Sequence, residues 1–393
     1  MKLAANLSRL GTESAFEVLA RANAIDREAA AKGQPRMINL GIGQPDFPTP
    51  GHIVEAAVKA LQDGHHGYTP ANGIPELREA IAADIKKYRG VEVNPDQIVA
   101  VPGGKVTMSF AIMMFGEPGT EIMYPDPGFP IYRSMIGFTG AKAVPMPLRE
   151  ENGFSFDADE VLAAITPRTR LIIVNSPANP TGGNVSRAEV EKLVAGLAKF
   201  PDVAVMSDEI YSRMTYGAPH VSFLEFPEIR DRLIMLDGAS KTYAMTGWRL
   251  GWAVWPGDLA ELATRMAINI HSCVNAATQY AGIAALTGPQ DAVDTMMAAF
   301  AERRRYITDR LNTLPGVSCI EPLGAFYAFP NITGTGMTAR EFQNQVLADA
   351  HVATIAGTSF GDMGEGFIRF SYAASLEAIT EALDRVEAFL KAR

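Results

Sequence analysis

Lys241 stands just past an apolar run, Leu233–Leu236, that reads as a buried strand, and follows the small residues Gly238-Ala239-Ser240. A cation there is costly unless it is paired or neutral. A neutral lysine amine is a nucleophile that forms an imine with a carbonyl. Eight residues on, Arg249 lies within Met245–Trp252 and offers a fixed guanidinium fork for an anion such as phosphate. The pair points to an aldehyde cofactor that carries a phosphate.

Other chemical residues also fall at the ends of apolar runs. Asp208 closes Val203–Ser207, and a carboxylate at a buried strand end needs a cationic or protonated partner. The protonated nitrogen of a pyridine ring is such a partner, and it lets the ring absorb electrons as a carbanion forms. Tyr211, three residues later, is placed to hydrogen-bond a ring hydroxyl. Asn179 sits in the turn-forming stretch Asn179-Pro180-Thr181-Gly182 after Leu171–Val174, and aims an amide donor at the mouth of the sheet. Gly103-Gly104-Lys105 opens a helical pattern, where glycines let backbone N–H groups approach an anion. Arg369 interrupts the apolar run Phe367–Ser371 and suits a substrate carboxylate.

These residues need a scaffold. Between residues 97 and 256 seven apolar runs alternate with helical periods: Gln97–Val101, Glu121–Tyr124, Ala141–Met146, Leu171–Asn175, Val203–Ser207, Leu233–Leu236 and Leu250–Trp255. That alternation predicts an α/β fold with a largely parallel sheet between helices, and ligands gather beyond the carboxyl ends of such strands. Residues 258–287 read as long helix interrupted near His271–Asn275. A further helix over 291–314 leads into an α+β lobe with strands at Val317–Glu321, Phe326–Phe329, Val352–Ile355 and Phe367–Ser371 and a helix at Thr338–Ala350.

Composition narrows the class. The chain has 393 residues and a net charge of −9, and its most basic cluster is Arg303-Arg304-Arg305, expected on a solvated helix face. A nucleic-acid surface is therefore excluded. Two cysteines, Cys273 and Cys319, make neither a disulfide framework nor a zinc site, so a reducing cytoplasm and no metal are expected. No apolar stretch approaches the roughly 20 residues of a membrane span. Arg9, Glu13 and Glu17 interrupt any signal-peptide core, and Phe16, Leu19 and Ala20 suggest an amphipathic helix.

In their order along the chain, these motifs resemble those of the fold-type I pyridoxal-phosphate enzymes. The similarity is to class I/II aminotransferases of the bacterial aspartate-aminotransferase-like branch. It runs from Gly43-Gln44-Pro45-Asp46-Phe47 through Tyr68, Gly73–Arg78, Gly103-Gly104-Lys105, Asn179–Gly182, Asp208–Tyr211 and Ser240-Lys241 to Arg249 and Arg369. The resemblance implies that Lys241 is the Schiff-base lysine of pyridoxal 5′-phosphate. It implies Asp208 on the pyridine nitrogen, Asn179 and Tyr211 on the ring hydroxyl, and Phe129 stacked on the ring. Arg249 with Gly103, Gly104, Lys105 and Ser240 would hold the phosphate. Tyr68 would reach the phosphate of a neighbouring subunit, so a homodimer with shared sites is implied. Arg369, aided by Asn179 and Gly43, would clamp the α-carboxylate. Some relatives carry a serine or threonine three residues before the lysine, where this chain has Gly238. The resemblance also implies an arm at residues 1–46 packing on a small domain, a cofactor-binding domain at 47–288 and the small α+β domain at 289–393.

The implied reaction moves an amino group from an L-amino acid to a 2-oxo acid. Lys105 favours aspartate or glutamate with 2-oxoglutarate, while Glu13, near the same pocket, opposes a distal carboxylate. Phe129 with Met108, Met113 and Met114 suits apolar side chains, so alanine, branched-chain and aromatic donors stay open. A C–S β-lyase on the same cofactor is the alternative. His271, Ser272 and Cys273 at the helix break are secondary candidates for substrate contact; Trp248, Trp252 and Trp255 read as packing. A dinucleotide oxidoreductase is excluded because Gly41-Ile42-Gly43-Gln44-Pro45 does not fit G-x-G-x-x-G, and a P-loop because Gly238–Thr242 matches only its end.

Overall fold

All seven apolar runs form strands, and all seven join one sheet. After a two-residue strand β1 (Ile38–Asn39) come β2 (Ile98–Val101), β3 (Glu121–Asp126), β4 (Lys142–Pro147), β5 (Thr169–Asn175), β6 (Ala204–Asp208), β7 (Leu233–Gly238) and β8 (Gly251–Val254). The computed structural model describes residues 1–12 and 14–393; Glu13, expected beside the substrate pocket, lies outside the described residues.

The sheet order is β2-β8-β7-β6-β5-β3-β4. The pairs β7–β6, β6–β5, β5–β3 and β3–β4 are parallel. Only β8 runs against both its neighbours. The segment from β7 to β8 turns back at one end of the sheet instead of crossing over it, and an antiparallel return follows. Central strands are buried on both faces, which explains their unbroken apolar sequence. Alternate residues feed opposite cores: Val99 and Val101 pack with Phe110 and Trp255, whereas Ile98 and Ala100 pack with Leu77 and Trp252. Strand β4 closes one edge and is partly exposed.

The order in the sheet departs from the order in the chain between β5 and β3, with β6 next to β5. In parallel α/β sheets such a place leaves a crevice beyond the strand ends. Here β5, β6 and β7 end side by side, Asn175 opposite Asp208 and Asp208 opposite Leu236.

The long helix after β8 breaks as expected, into Gly257–Ile270 and Ala276–Thr287, with the Asn275 side chain capping the second. Helix Asp291–Leu311 leads into β9 (Tyr327–Ala328), β10 (Val352–Ala353), β11 (Ile355–Ala356) and β12 (Ile368–Ser371). Strands β11, β12 and β9 form an antiparallel sheet, and β10 pairs in parallel with β1. Helix Ser14–Ala31 lies against β10 and β11, and Arg21 donates to Asn344 at 2.8 Å.

Three expectations are corrected here. The run Val317–Glu321 is no strand; it makes one bridge, Ser318 to Asn331. The run Val352–Ile355 splits at Thr354 because its two halves pair with different strands. Of Arg303-Arg304-Arg305, only Arg305 is exposed as expected. Arg303 bonds Asp46 at 2.7 Å and lies over Phe47, while Arg304 bonds the Pro322 carbonyl at 2.7 Å and lies over Tyr216. Their stems cover apolar rings while their heads reach acceptors, a division of labour that charge alone does not reveal.

Candidate active site

A cavity of about 550 Å³ opens beyond the ends of β5, β6 and β7. Its walls include Gly43, Gly104, Lys105, Phe129, Asn179, Asp208, Tyr211, Ser240, Lys241, Arg249 and Arg369. Residues spread over more than three hundred positions of sequence thus share one space.

Asp208 ends β6 and is 2% exposed. One carboxylate oxygen accepts from the Tyr132 hydroxyl at 2.5 Å and the other from the Ile210 N–H at 3.3 Å. No ion pair to Asp208 occurs among the described residues. Burial pushes its carboxyl up to about 7, against the pull of Tyr132 and the Ile210 amide. A buried acid without a cation is costly, and a protonated ring nitrogen would relieve it. Tyr132 escaped the sequence reading, because nothing in Pro130–Thr139 marks one tyrosine as facing a carboxylate.

Lys241 sits on the short helix Ala239–Thr242 that follows β7, and its amine donates to the Gly43 carbonyl at 2.5 Å. Gly43 must be glycine: a Cβ would lie 2.2 Å from the Tyr327 hydroxyl. The Gly43 carbonyl therefore engages the lysine, where its backbone was expected to help bind a carboxylate. The Tyr211 and Tyr327 hydroxyls share a hydrogen bond of 2.8 Å. Tyr327 was missed; its one hydroxyl in the apolar run Phe326–Phe329 was the available signal.

Arg249 adopts a left-handed conformation at φ 57°, and its guanidinium donates to the Thr246 carbonyl at 2.8 Å. It crosses the Gly103 backbone so closely that a Cβ there would meet Nη2 at 1.9 Å. Gly103 does not line the cavity; its hydrogen side chain makes room for Arg249. Gly104 and Lys105 begin helix Lys105–Phe115 at the cavity wall, where a helix N-terminus favours an anion. Gly238 is extended and crowded: a Cβ would lie 3.0 Å from Gly251 Cα and from the Leu250 carbonyl. Ser240 is the hydroxyl that this turn presents to the cavity.

Arg369 is 4% exposed, on β12. It donates to Asn179 Oδ1 at 2.8 Å and to the Gly41 carbonyl at 2.6 Å, and its guanidinium carbon lies 4.5 Å from the Tyr327 ring and 4.7 Å from the Phe360 ring. Its Nε has no hydrogen-bond partner among the described residues. The Asn179 oxygen is thus occupied by Arg369, so the residue expected as a donor also acts as an acceptor. Phe129 caps helix Pro130–Thr139 and meets Tyr132 edge-on at 5.9 Å. The Lys105 amine lies 5.2 Å from the Phe129 ring and 5.7 Å from the Phe16 ring. Ala15, Phe16 and Leu19 of the N-terminal helix complete this wall; their helical pattern was seen but not their destination.

Tyr68, expected at the phosphate of a neighbouring subunit, is 93% exposed and outside this chain's own cavity. His271 is also outside it, stacked on Phe110 at 6.0 Å, and burial holds its pKa down. Met108 lines the cavity, while Met113 and Met114 pack against the core. Trp252 and Trp255 are buried packing residues, and Trp248 donates its indole N–H to Thr49 at 3.0 Å.

The cavity fits a phosphorylated pyridine aldehyde by chemistry. A buried acid with no ion-pair partner among the described residues, an arginine beside a helix N-terminus and an amine all stand in its walls. Residues 35–386 match the Aminotransferase class I and II family. The chain belongs to that family. It is an aminotransferase of fold type I, and its cofactor is pyridoxal 5′-phosphate. It is 41% identical to an aspartate aminotransferase of Pyrococcus horikoshii, covering 90% of this chain and 91% of that one. It is 38% identical to aromatic-amino-acid aminotransferase 2 of Thermococcus litoralis, covering 92% and 93%. Among solved structures, an alanine aminotransferase from Pyrococcus furiosus superposes with a TM-score of 0.92 at 36% identity, covering all of both chains. Among the described residues, no helix is long and apolar enough to cross a membrane.

Proposed function

We propose that this aminotransferase moves the amino group of aspartate or glutamate to 2-oxoglutarate, and that Lys241 is its proton-moving base. The observation that carries the reading is that one cavity joins Lys241, the cation-less acid Asp208, Arg249 and the buried Arg369. Bound, the cofactor supplies a carbonyl for the substrate amine and a ring that accepts the electron pair left when the α-proton departs. Asp208 keeps the proton on the ring nitrogen. Tyr211 and Asn179 face the ring hydroxyl, and Phe129 covers one ring face. Arg249, Ser240 and the backbone of Gly104 and Lys105 hold the phosphate. Arg369 clamps the α-carboxylate, its planar guanidinium fork being suited to a planar anion. The Lys241 amine would take the substrate's α-proton as a base and, as an acid, return it to what was the cofactor's aldehyde carbon, beyond the amino nitrogen. Both half-reactions use the same groups, so ping-pong kinetics follow.

Lys105 at the side-chain wall supports an acidic substrate, as does the named activity of the P. horikoshii relative. A second reading has its own observation: Phe16, Leu19, Met108 and Phe129 make much of that wall apolar, which suits aromatic or aliphatic side chains. A panel of amino donors with 2-oxoglutarate and with pyruvate separates the two. The acidic reading expects aspartate and glutamate to give the highest kcat/KM. No measurable half-reaction with either would end it.

The same reading includes a homodimer. Tyr68 is exposed, and so are Val54, Val58 and Leu61 along one face of helix Gly51–Gln62, apolar side chains suited to burial against a second copy. It also includes the division at residues 46 and 288, supported by an apolar cluster drawn mostly from residues 296–386, which Leu40, Tyr211, Met214 and Tyr216 join, and a cytoplasmic site, supported by two unpaired cysteines.

A further inference from the structure

Beneath the cavity, outside its lining, lies a buried ionic knot. Glu209 directly follows Asp208, and Asp237 precedes Gly238 at the end of β7, four residues before Lys241. Both carboxylates are buried, and both bind one guanidinium, that of Arg89 at the end of helix Pro75–Arg89. Arg89 Nε donates to Glu209 at 2.9 Å; Nη2 donates to Asp237 at 2.5 Å and to Ser212 at 3.0 Å. Glu209 also accepts from Ser207, Ser222 and the Phe223 amide, and His220 lies 3.0 Å from it. Asp237 accepts from the Gly238 amide at 2.7 Å.

We infer that Arg89 is a positioning residue for this site: one fork ties together the two strand ends that carry Asp208 and Lys241. The inference rests on the assignment of those two residues above. Two physical effects act together. The first is geometric. Strands β6 and β7 are adjacent and parallel, but their hydrogen-bonded ladder stops at Asp208 and Leu236. Beyond that point Arg89 makes a further cross-link, and a planar fork fixes direction as well as distance.

The second effect is electrostatic. Glu209 and Asp237 both oppose ionisation of Asp208. Asp84, half-buried and itself pushed up to about 6 by burial and by Asp237, adds another acid. Arg89 is the cation bonded to both carboxylates, and His220 and Arg89 together draw Glu209 down to about 2 although burial works the other way. Without Arg89, negative charge would crowd Asp208 and weaken its hold on a protonated ring nitrogen. A purely structural arginine would support the fold and leave the cofactor's properties alone.

The test compares wild type with Arg89→Lys, which keeps the charge but loses the fork, and Arg89→Gln, which loses both. Each purified apoenzyme is titrated with pyridoxal 5′-phosphate. The visible absorbance of the lysine-bound cofactor is followed against pH, and Tm is recorded. We expect cofactor affinity about tenfold weaker for the lysine variant and about a hundredfold weaker for the glutamine variant, the range of supporting-residue effects around bound groups. We also expect kcat to fall more than the donor KM rises, and the absorbance midpoint to move. If both variants lower Tm but bind and titrate as wild type does, Arg89 is structural and the inference is overturned. If the glutamine variant does not fold, the lysine variant decides alone by the same criteria. A wild-type protein without the visible band would overturn the Lys241 assignment itself, and this inference with it.

Discussion

The two ends of the cavity are built differently. At the cofactor end, Asn175, Asp208 and the β7 turn bearing Lys241 hang from three adjacent strands of one sheet, in fixed register. At the substrate end, the wall comes from an N-terminal helix, the side chain of Lys105 and Arg369 on β12 of a separate sheet. A ladder of backbone hydrogen bonds leaves side chains on neighbouring strands little freedom, so the chemistry is held rigidly. Elements from distant segments can change their side chains without disturbing that ladder. The comparison accounts for relatives of similar fold whose names specify aspartate, aromatic and alanine substrates.

The sharpest way to break the comparison is to remove the amine at the rigid end. Lys241→Ala should lower kcat by about ten-thousandfold, the upper range for a group that moves protons, and erase the visible absorbance of the lysine-bound cofactor. Single-turnover kinetics and a spectrum of the purified variant check both. Retention of either at the wild-type level would show that the cofactor end is assembled around another group.

Arg369→Lys tests the assembled end. Lysine keeps the charge but not the planar fork that bonds Asn179 and Gly41. The loss is worth about 2 kcal/mol, so the donor KM should rise about thirtyfold. The visible band should persist, because Arg369 reaches the ring hydroxyl only through Asn179. A shifted spectrum would show the two ends coupled.

The same contrast explains what could be read from sequence. A charge at the end of an apolar run is conspicuous, so Asp208, Lys241 and Arg369 stood out, and the seven runs predicted the seven strands. Partnerships across the fold are not conspicuous. Tyr132 looks like any helix tyrosine until the structure brings it to Asp208, and Arg89 looks like a helix C-terminal cation until Glu209 and Asp237 meet it. Phe16 reads as the apolar stripe of a surface helix, since only tertiary packing aims it at a cavity. Arg303 and Arg304 show the converse, charged residues whose partners lie in loops far along the chain.

The smallest expected effect probes the tuning of the rigid end. Tyr132 is fully buried, and its hydroxyl donates to Asp208, favouring the ionised carboxylate. Tyr132→Phe removes that donor and leaves the ring in place. A hydrogen bond to a charged group is worth about 1.5 kcal/mol, so kcat should fall about tenfold as the proton shifts from the ring nitrogen towards Asp208. The apoenzyme carries a pH signature as well. Asp208 has a folded pKa of about 7, above the roughly 3.9 of an unfolded aspartate. The folded chain therefore holds this proton more tightly, and the stability it brings is lost as pH rises from about 4 towards 7. In Tyr132→Phe the folded pKa rises further, so the loss should continue to higher pH. Thermal melts of the two apoenzymes from pH 4 to 9 measure that difference, and parallel curves would show that Tyr132 does not govern the charge on Asp208.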